Sequence, residues 1–167
     1  MQVVTSDPGL SKAEAYRDLN RQLAALFSGE RNGLANCANM CALLYQMLPS
    51  LNWVGFYFLQ GSELVLGPFQ GRVACVRIAL GRGVCGTAAE RRETLVVPDV
   101  QEFPGHIACD AASRSEIVVP LIEQERLCGV LDLDSPELAR FDAEDRVGLN
   151  AAAALLLEAS DLGKLCD

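Results

Sequence analysis

The stretch Ser115-Glu-Ile-Val-Val-Pro-Leu-Ile-Glu-Gln-Glu-Arg-Leu-Cys-Gly-Val-Leu-Asp-Leu-Asp-Ser135 decides the fold. It holds two aliphatic runs, 117–122 and 127–133, joined by the polar turn 123–126. So short a connection returns the chain antiparallel, because a parallel neighbour needs a crossover of about a dozen residues or more. The second run alternates. Leu127, Gly129, Leu131 and Leu133 are expected on one face, and Cys128, Val130, Asp132 and Asp134 on the other. Two acids therefore share a face, roughly 6–7 Å apart along the strand. Such a pair can hold an ammonium group, or it can be the solvated end of a strand before the Ser135-Pro136 turn.

Moving outward, residues 53–59 are aromatic and β-branched, a further strand, with 63–69 as its hairpin partner across Gly61-Ser62. Trp53 and Tyr57, four apart, share a face and serve either core packing or the wall of a pocket. Residues 75–80 and 94–97 read as two more strands. Gly81-Arg-Gly-Val-Cys-Gly86 is a glycine-rich turn into a short helix near 87–91. At the N-terminal side, Ser11 with Glu14 fits a capping box for a first helix. Leu34, Cys37, Ala38, Cys41, Leu44, Tyr45 and Leu48 mark a second helix, closed by Pro49. Asp142 starts a last helix that runs to about residue 158. Hairpin-length connections dominate, so the expected architecture is α+β: one domain over residues 1–167, with a mainly antiparallel sheet and terminal helices packed on it.

Composition narrows the function. Half the residues are hydrophobic, enough for a sizeable core. The net charge of −8 argues against nucleic acid and against an anionic membrane surface, both of which need a basic footprint. No apolar run approaches the ~20 residues that span a bilayer. Residues 1–10 lack the basic and apolar segments of a secretory signal, so a cytoplasmic location is expected. Seven cysteines accompany a single histidine. An odd count in such a setting disfavours a disulfide framework, and no Cys-x-x-Cys or histidine cluster suggests a metal. No metal or cofactor is expected. Cys37 and Cys41 read as buried fillers.

Residues 99–113 have no clear period, and a loop of that length in a compact domain usually carries function. It holds Cys109 among small neighbours in His106-Ile-Ala-Cys-Asp-Ala-Ala-Ser113, either a reactive thiol open to a ligand or a buried loop cysteine. Cys75 and Cys85 are two further candidates. Cys85 stands at a helix start, where the dipole lowers a thiol pKa. Glu116, at the head of the neighbouring strand, can close an acidic cluster with Asp132 and Asp134.

Taken together, Gly71-Arg-Val-Ala-Cys-Val-Arg-Ile78, Gly81-Arg-Gly-Val-Cys-Gly-Thr87 and Gly105-His-Ile-Ala-Cys-Asp-Ala-Ala-Ser113 resemble the free methionine-(R)-sulfoxide reductase family. Ser115-Glu-Ile-Val-Val-Pro120 and Gly129-Val-Leu-Asp-Leu-Asp-Ser135 add to the likeness, which runs from about residue 11 to 158. The resemblance implies a GAF fold and reduction of the R epimer of free methionine sulfoxide. It places Cys109 as the attacking thiol, Cys75 as its resolving partner and Cys85 as an auxiliary thiol. It makes Glu116, Asp132 and Asp134 the acidic ligands and Trp53 and Tyr57 the aromatic wall. It further implies an intramolecular disulfide, recycling by thioredoxin or a similar dithiol, and leans towards a homodimer. The competing expectation is a GAF sensor module without catalysis, since that fold also serves binding.

Overall fold

The computed structural model describes residues 9–105 and 111–166. Four α-helices and six strands follow in the order α1 (Lys12–Phe27), α2 (Gly33–Met47), β1 (Trp53–Gln60), β2 (Glu63–Gly71), β3 (Arg77–Ala79), α3 (Gly83–Arg91), β4 (Leu95–Val97), β5 (Ser115–Glu123), β6 (Arg126–Ser135) and α4 (Ala143–Ala159). The strands form one sheet in the order β3-β2-β1-β6-β5-β4, and every pairing is antiparallel. The α+β expectation holds, and the boundaries move by a few residues. The strand expected over 75–80 contracts to Arg77–Ala79, and residues 72–75 before it lie outside the strand. Residues 83–86 of the glycine-rich turn are themselves the first turn of α3, with Arg82 as its N-cap. Gly86 is required there, since a Cβ would sit 2.3 Å from the Ala79 carbonyl oxygen.

Alternation along the strands builds two cores. Val54, Phe56, Phe58, Ile117, Val119, Leu131 and Leu133 face α1, α2 and α4. Trp53, Tyr57, Val118 and Val130 face α3 on the opposite side. The capping box of Ser11 and Glu14 starts α1, and Asp142 with Asp145 makes another at α4. These helices are tied by the Tyr16 hydroxyl, which donates to Asp145 Oδ1 at 2.8 Å. Lys12 and Arg140 neutralise the fully buried Asp145 at 2.8 and 3.0 Å.

One expected orientation is corrected. Gly129 pairs Leu121 while Leu127 pairs Ile122, so Cys128 is the extra residue of a β-bulge. A bulge reverses the phase of alternation. Cys128 therefore enters the helical core beside Leu131 and Leu133, and Leu127 joins the α3 side. Asp132 and Asp134 lie beyond the bulge and keep the shared face expected of them.

Candidate active site

The acids meet because three central strands end in register. Trp53 pairs Asp134 and Gly55 pairs Asp132 across β1 and β6. Glu116 pairs Asp134 and Val118 pairs Asp132 across β5 and β6. Gly55 sits in the middle of this patch with no side chain, and the Trp53 indole folds over it. A Cβ at Gly55 would lie 2.4 Å from the indole. The indole stacks between Tyr57 and Phe69, with centroids at 5.9 and 5.5 Å. Trp53 Nε1 donates to the Arg72 carbonyl at 3.1 Å, and the Tyr57 hydroxyl donates to the Cys75 carbonyl at 3.0 Å. The aromatic pair thus both walls the site and holds the 72–75 segment over it.

These groups enclose a cavity of about 40 Å³, lined by Trp53, Tyr57, Cys85, Glu116, Asp132 and Asp134 among others. That volume takes a small polar group such as an ammonium. Glu116 and Asp132 are each 6% exposed, and Asp134 is half-buried. Cys85 donates to Glu116 Oε1 at 3.8 Å. Glu116 in turn lies beside Asp132, with one oxygen of each within 4.8 Å, and Asp132 Oδ1 is buried with no hydrogen-bond partner. A buried acceptor left unpaired costs free energy until a donor arrives, so it points to a ligand with N–H groups.

Electrostatics follow from burial. Desolvation, then the Asp132 and Asp134 carboxylates, raise Glu116 well above the usual range. Desolvation pushes Asp132 up to about 7. The pair consequently holds a proton near neutrality and keeps an acceptor beside it. Cys85 behaves opposite to the helix-start expectation. Its thiol is raised well above its ordinary value, first by burial and then by Asp132 and Glu116. Full burial beside carboxylates outweighs the dipole of a nine-residue helix. Cys85 Sγ and one oxygen each from Glu116 and Asp132 lie within 4.8 Å of one another. A cation would fit that spacing, which no interval along the chain revealed.

Of the residues expected from sequence, Trp53, Tyr57, Cys85, Glu116, Asp132 and Asp134 converge on the cavity. Cys75 lies on the segment above it and is disulfide-bonded, whereas Cys37, Cys41, Cys85, Cys128 and Cys166 are free. Cys109 lies outside the described residues. Among the described residues on either side, the 3-10 turn Val100–Glu102 is tied to Arg114, whose carbonyl accepts from Val100 N at 2.9 Å. Sequence reasoning missed Gly55 and Ser113. The first was legible only as the lone glycine inside an aromatic strand. Ser113 lines the cavity and accepts from Asn52 Nδ2 at 3.0 Å, a contact that no local pattern announces.

An antiparallel sheet between helical layers, with a small polar cavity at one sheet end, defines the class. The GAF domain model matches residues 23–159, and the chain belongs to that family. Within it the chain is a member of the free methionine-R-sulfoxide reductase family. It is 54% identical over 147 residues to the free methionine-R-sulfoxide reductase of Escherichia coli K12, covering 88% of this chain and 89% of the relative. It is 44% identical over 161 residues to the Saccharomyces cerevisiae enzyme of the same name, covering 92% and 89%. The X-ray structure of free methionine-R-sulfoxide reductase from Neisseria meningitidis in complex with its substrate superposes with a TM-score of 0.92 at 42% identity. That match covers 99% of both chains.

Proposed function

We propose that this protein reduces free methionine (R)-sulfoxide to methionine with a cysteine thiolate. The observation that carries the reading is the unpartnered Oδ1 of buried Asp132, set among Glu116, Asp134 and the Trp53–Tyr57 wall. An ammonium group supplies the missing donors. A site that grips a free ammonium excludes methionine within a peptide, whose nitrogen is an amide.

The chemistry assigns a role to each residue. The Cys109 thiolate attacks the electrophilic sulfur, and the proton held by the Glu116–Asp132 pair moves to the sulfoxide oxygen. The S–O bond then breaks as the oxygen moves to the Cys109 sulfur, the transient S–S bond breaks with its electron pair returning to the methionine sulfur, and methionine leaves Cys109 as a sulfenic acid. The Cys75 thiol displaces that oxygen as water, closing a Cys75–Cys109 disulfide. An external dithiol of the thioredoxin type then exchanges with the bond and restores both thiols. That Cys75 is disulfide-bonded while five other cysteines are free supports its part in the cycle. Cys85, protonated and bonded to Glu116, acts as a hydrogen-bond donor in the first turnover and as a reserve thiol. Five free thiols also suit a reducing cytoplasm, where such a reductant is at hand. Among the described residues no helix is long and apolar enough to cross a membrane.

The test is an assay of the purified protein on both epimers of free methionine sulfoxide, and on a peptide-bound one, with a dithiol reductant. Turnover of the free R epimer alone is expected. Binding without turnover would instead make the protein a sensor module.

A further inference from the structure

The proposed cycle leaves cysteines unused, and two of them meet at the end of β6 opposite the acids. Cys128, the bulged residue, is fully buried, and Cys166, in the segment after α4, is 5% exposed. The Arg126 guanidinium spans them, with Nη2 at 3.8 Å from Cys128 Sγ and 3.6 Å from Cys166 Sγ. Both sulfurs thus lie against one guanidinium nitrogen, and Cys166 Sγ donates to the Leu162 carbonyl at 3.4 Å. Both are free. The contact depends on the bulge. Uniform alternation would turn Cys128 to the α3 side, away from the segment that carries Cys166.

We propose that Cys128 and Cys166 form a second redox dithiol, separate from the catalytic cysteines, which hydroperoxides oxidise to an intramolecular disulfide. Disulfide formation needs two sulfurs that can approach, a thiolate and an oxidant. The guanidinium nitrogen that both sulfurs share, 3.8 and 3.6 Å away, supplies the first. The Arg126 guanidinium beside both sulfurs favours the second, and its 45% exposed side chain marks the route from solvent. Burial works against the thiolate and raises Cys166 to about 12, and the Arg126 guanidinium opposes that rise. The electrons balance in two steps. One thiolate attacks the peroxide, the O–O bond breaks, and the thiolate becomes a sulfenic acid with loss of an alcohol or water. The neighbouring thiol then displaces water. Overall the two sulfurs lose two electrons and two protons, and the peroxide is reduced. The product fastens the segment after α4 to the central sheet, closing α4 within a covalent loop.

The proposal does not depend on the reductase reading, because its readout is a cross-link. Reduced full-length protein is exposed to hydrogen peroxide, remaining thiols are blocked, and trypsin is applied without reductant. Cleavage after Arg126, Arg140 and Lys164 gives peptides 127–140 and 165–167, each with one cysteine. The expected product joins these two, two hydrogens lighter than their sum. Its formation raises Tm by about 5–10 °C, from loop closure in a chain of this size. Cys166→Ser keeps sulfoxide turnover but loses the cross-link and that rise in Tm, and Arg126→Gln slows the cross-link. Recovery of Cys128 and Cys166 as thiols, under peroxide that oxidises Cys75, overturns the proposal. So does finding Cys166 as a sulfinic acid without its partner.

Discussion

Replacing Asp132 by asparagine separates binding from stability, because the two respond with opposite sign. In the free protein Asp132 is a buried carboxylate beside Glu116, raised to about 7 by desolvation. Its ordinary value in the unfolded chain lies near 4. For an acid shifted upward, stability is fully present below the unfolded value and is lost as pH rises through the folded one. Three pH units correspond to on the order of 4 kcal/mol of destabilisation once the pH is well above 7. Asp132→Asn removes that penalty, so the variant's Tm should equal or exceed that of the parent at pH 8. The advantage should fade towards pH 5, where the parent regains its proton. Catalysis should move the other way. The variant lacks the buried anion that faces the substrate ammonium, a loss of roughly 2–4 kcal/mol for a desolvated charged pair. That is roughly 30- to 700-fold in kcat/KM. Thermal melts at pH 5 and 8, with steady-state kinetics on free methionine (R)-sulfoxide, measure both halves. A loss below about fivefold in kcat/KM would refute Asp132 as the ammonium anchor. A clear drop in Tm at pH 8 would refute the electrostatic account.

Four further outcomes follow from the same geometry. Asp134→Asn should cut turnover about tenfold or more without unfolding the protein, since Asp134 lines the cavity from a half-buried position; steady-state kinetics alongside circular dichroism check this. Gly55→Ala should drive the indole off the acid patch, because the added methyl falls 2.4 Å from it, and the check is a raised KM with altered Trp53 fluorescence. In single-turnover experiments Cys109→Ser should release no methionine, while Cys75→Ser releases one equivalent per chain and then stalls; a full first turnover from Cys109→Ser would move the nucleophile to Cys85. Tyr16→Phe should cost about 1–3 kcal/mol in denaturant unfolding and leave kcat unchanged, since its hydroxyl serves only the buried Asp145 that joins α1 to α4.

Much of the fold was legible because hydrophobic period and turn chemistry are local. The 117–133 hairpin, the capped first helix and the aromatic strand emerge where the residues place them. The shorter pieces were less legible. Residues 75–80 look like a strand in composition, yet the regular strand is only Arg77–Ala79, flanked by single backbone bonds at Val76 and Leu80, while Trp53 and Tyr57 hold the carbonyls of residues 72 and 75. Likewise Gly81–Gly86 reads as a turn, yet its residues 83–86 are already the first turn of α3, with Gly86 packed against the Ala79 carbonyl.

For the site, sequence by itself determined that Asp132 and Asp134 share a face, that Trp53 and Tyr57 share another stretch of sheet surface, and that Glu116 heads the adjoining strand. Strand periodicity is a local property, and it survives whatever packs around it. Three things were decided only by tertiary structure. The pairing register brought Glu116, Asp132, Asp134 and Trp53 to one end of the sheet, with Gly55 vacant between them. The bulge at Cys128 reversed the alternation and sent that thiol towards Cys166, because which residue is left unpaired depends on both partner strands. Burial turned Cys85 from an expected thiolate into a protonated donor. Desolvation is set by everything that covers a group, and here the covering comes from strands, a helix and a crossing segment far apart in the chain.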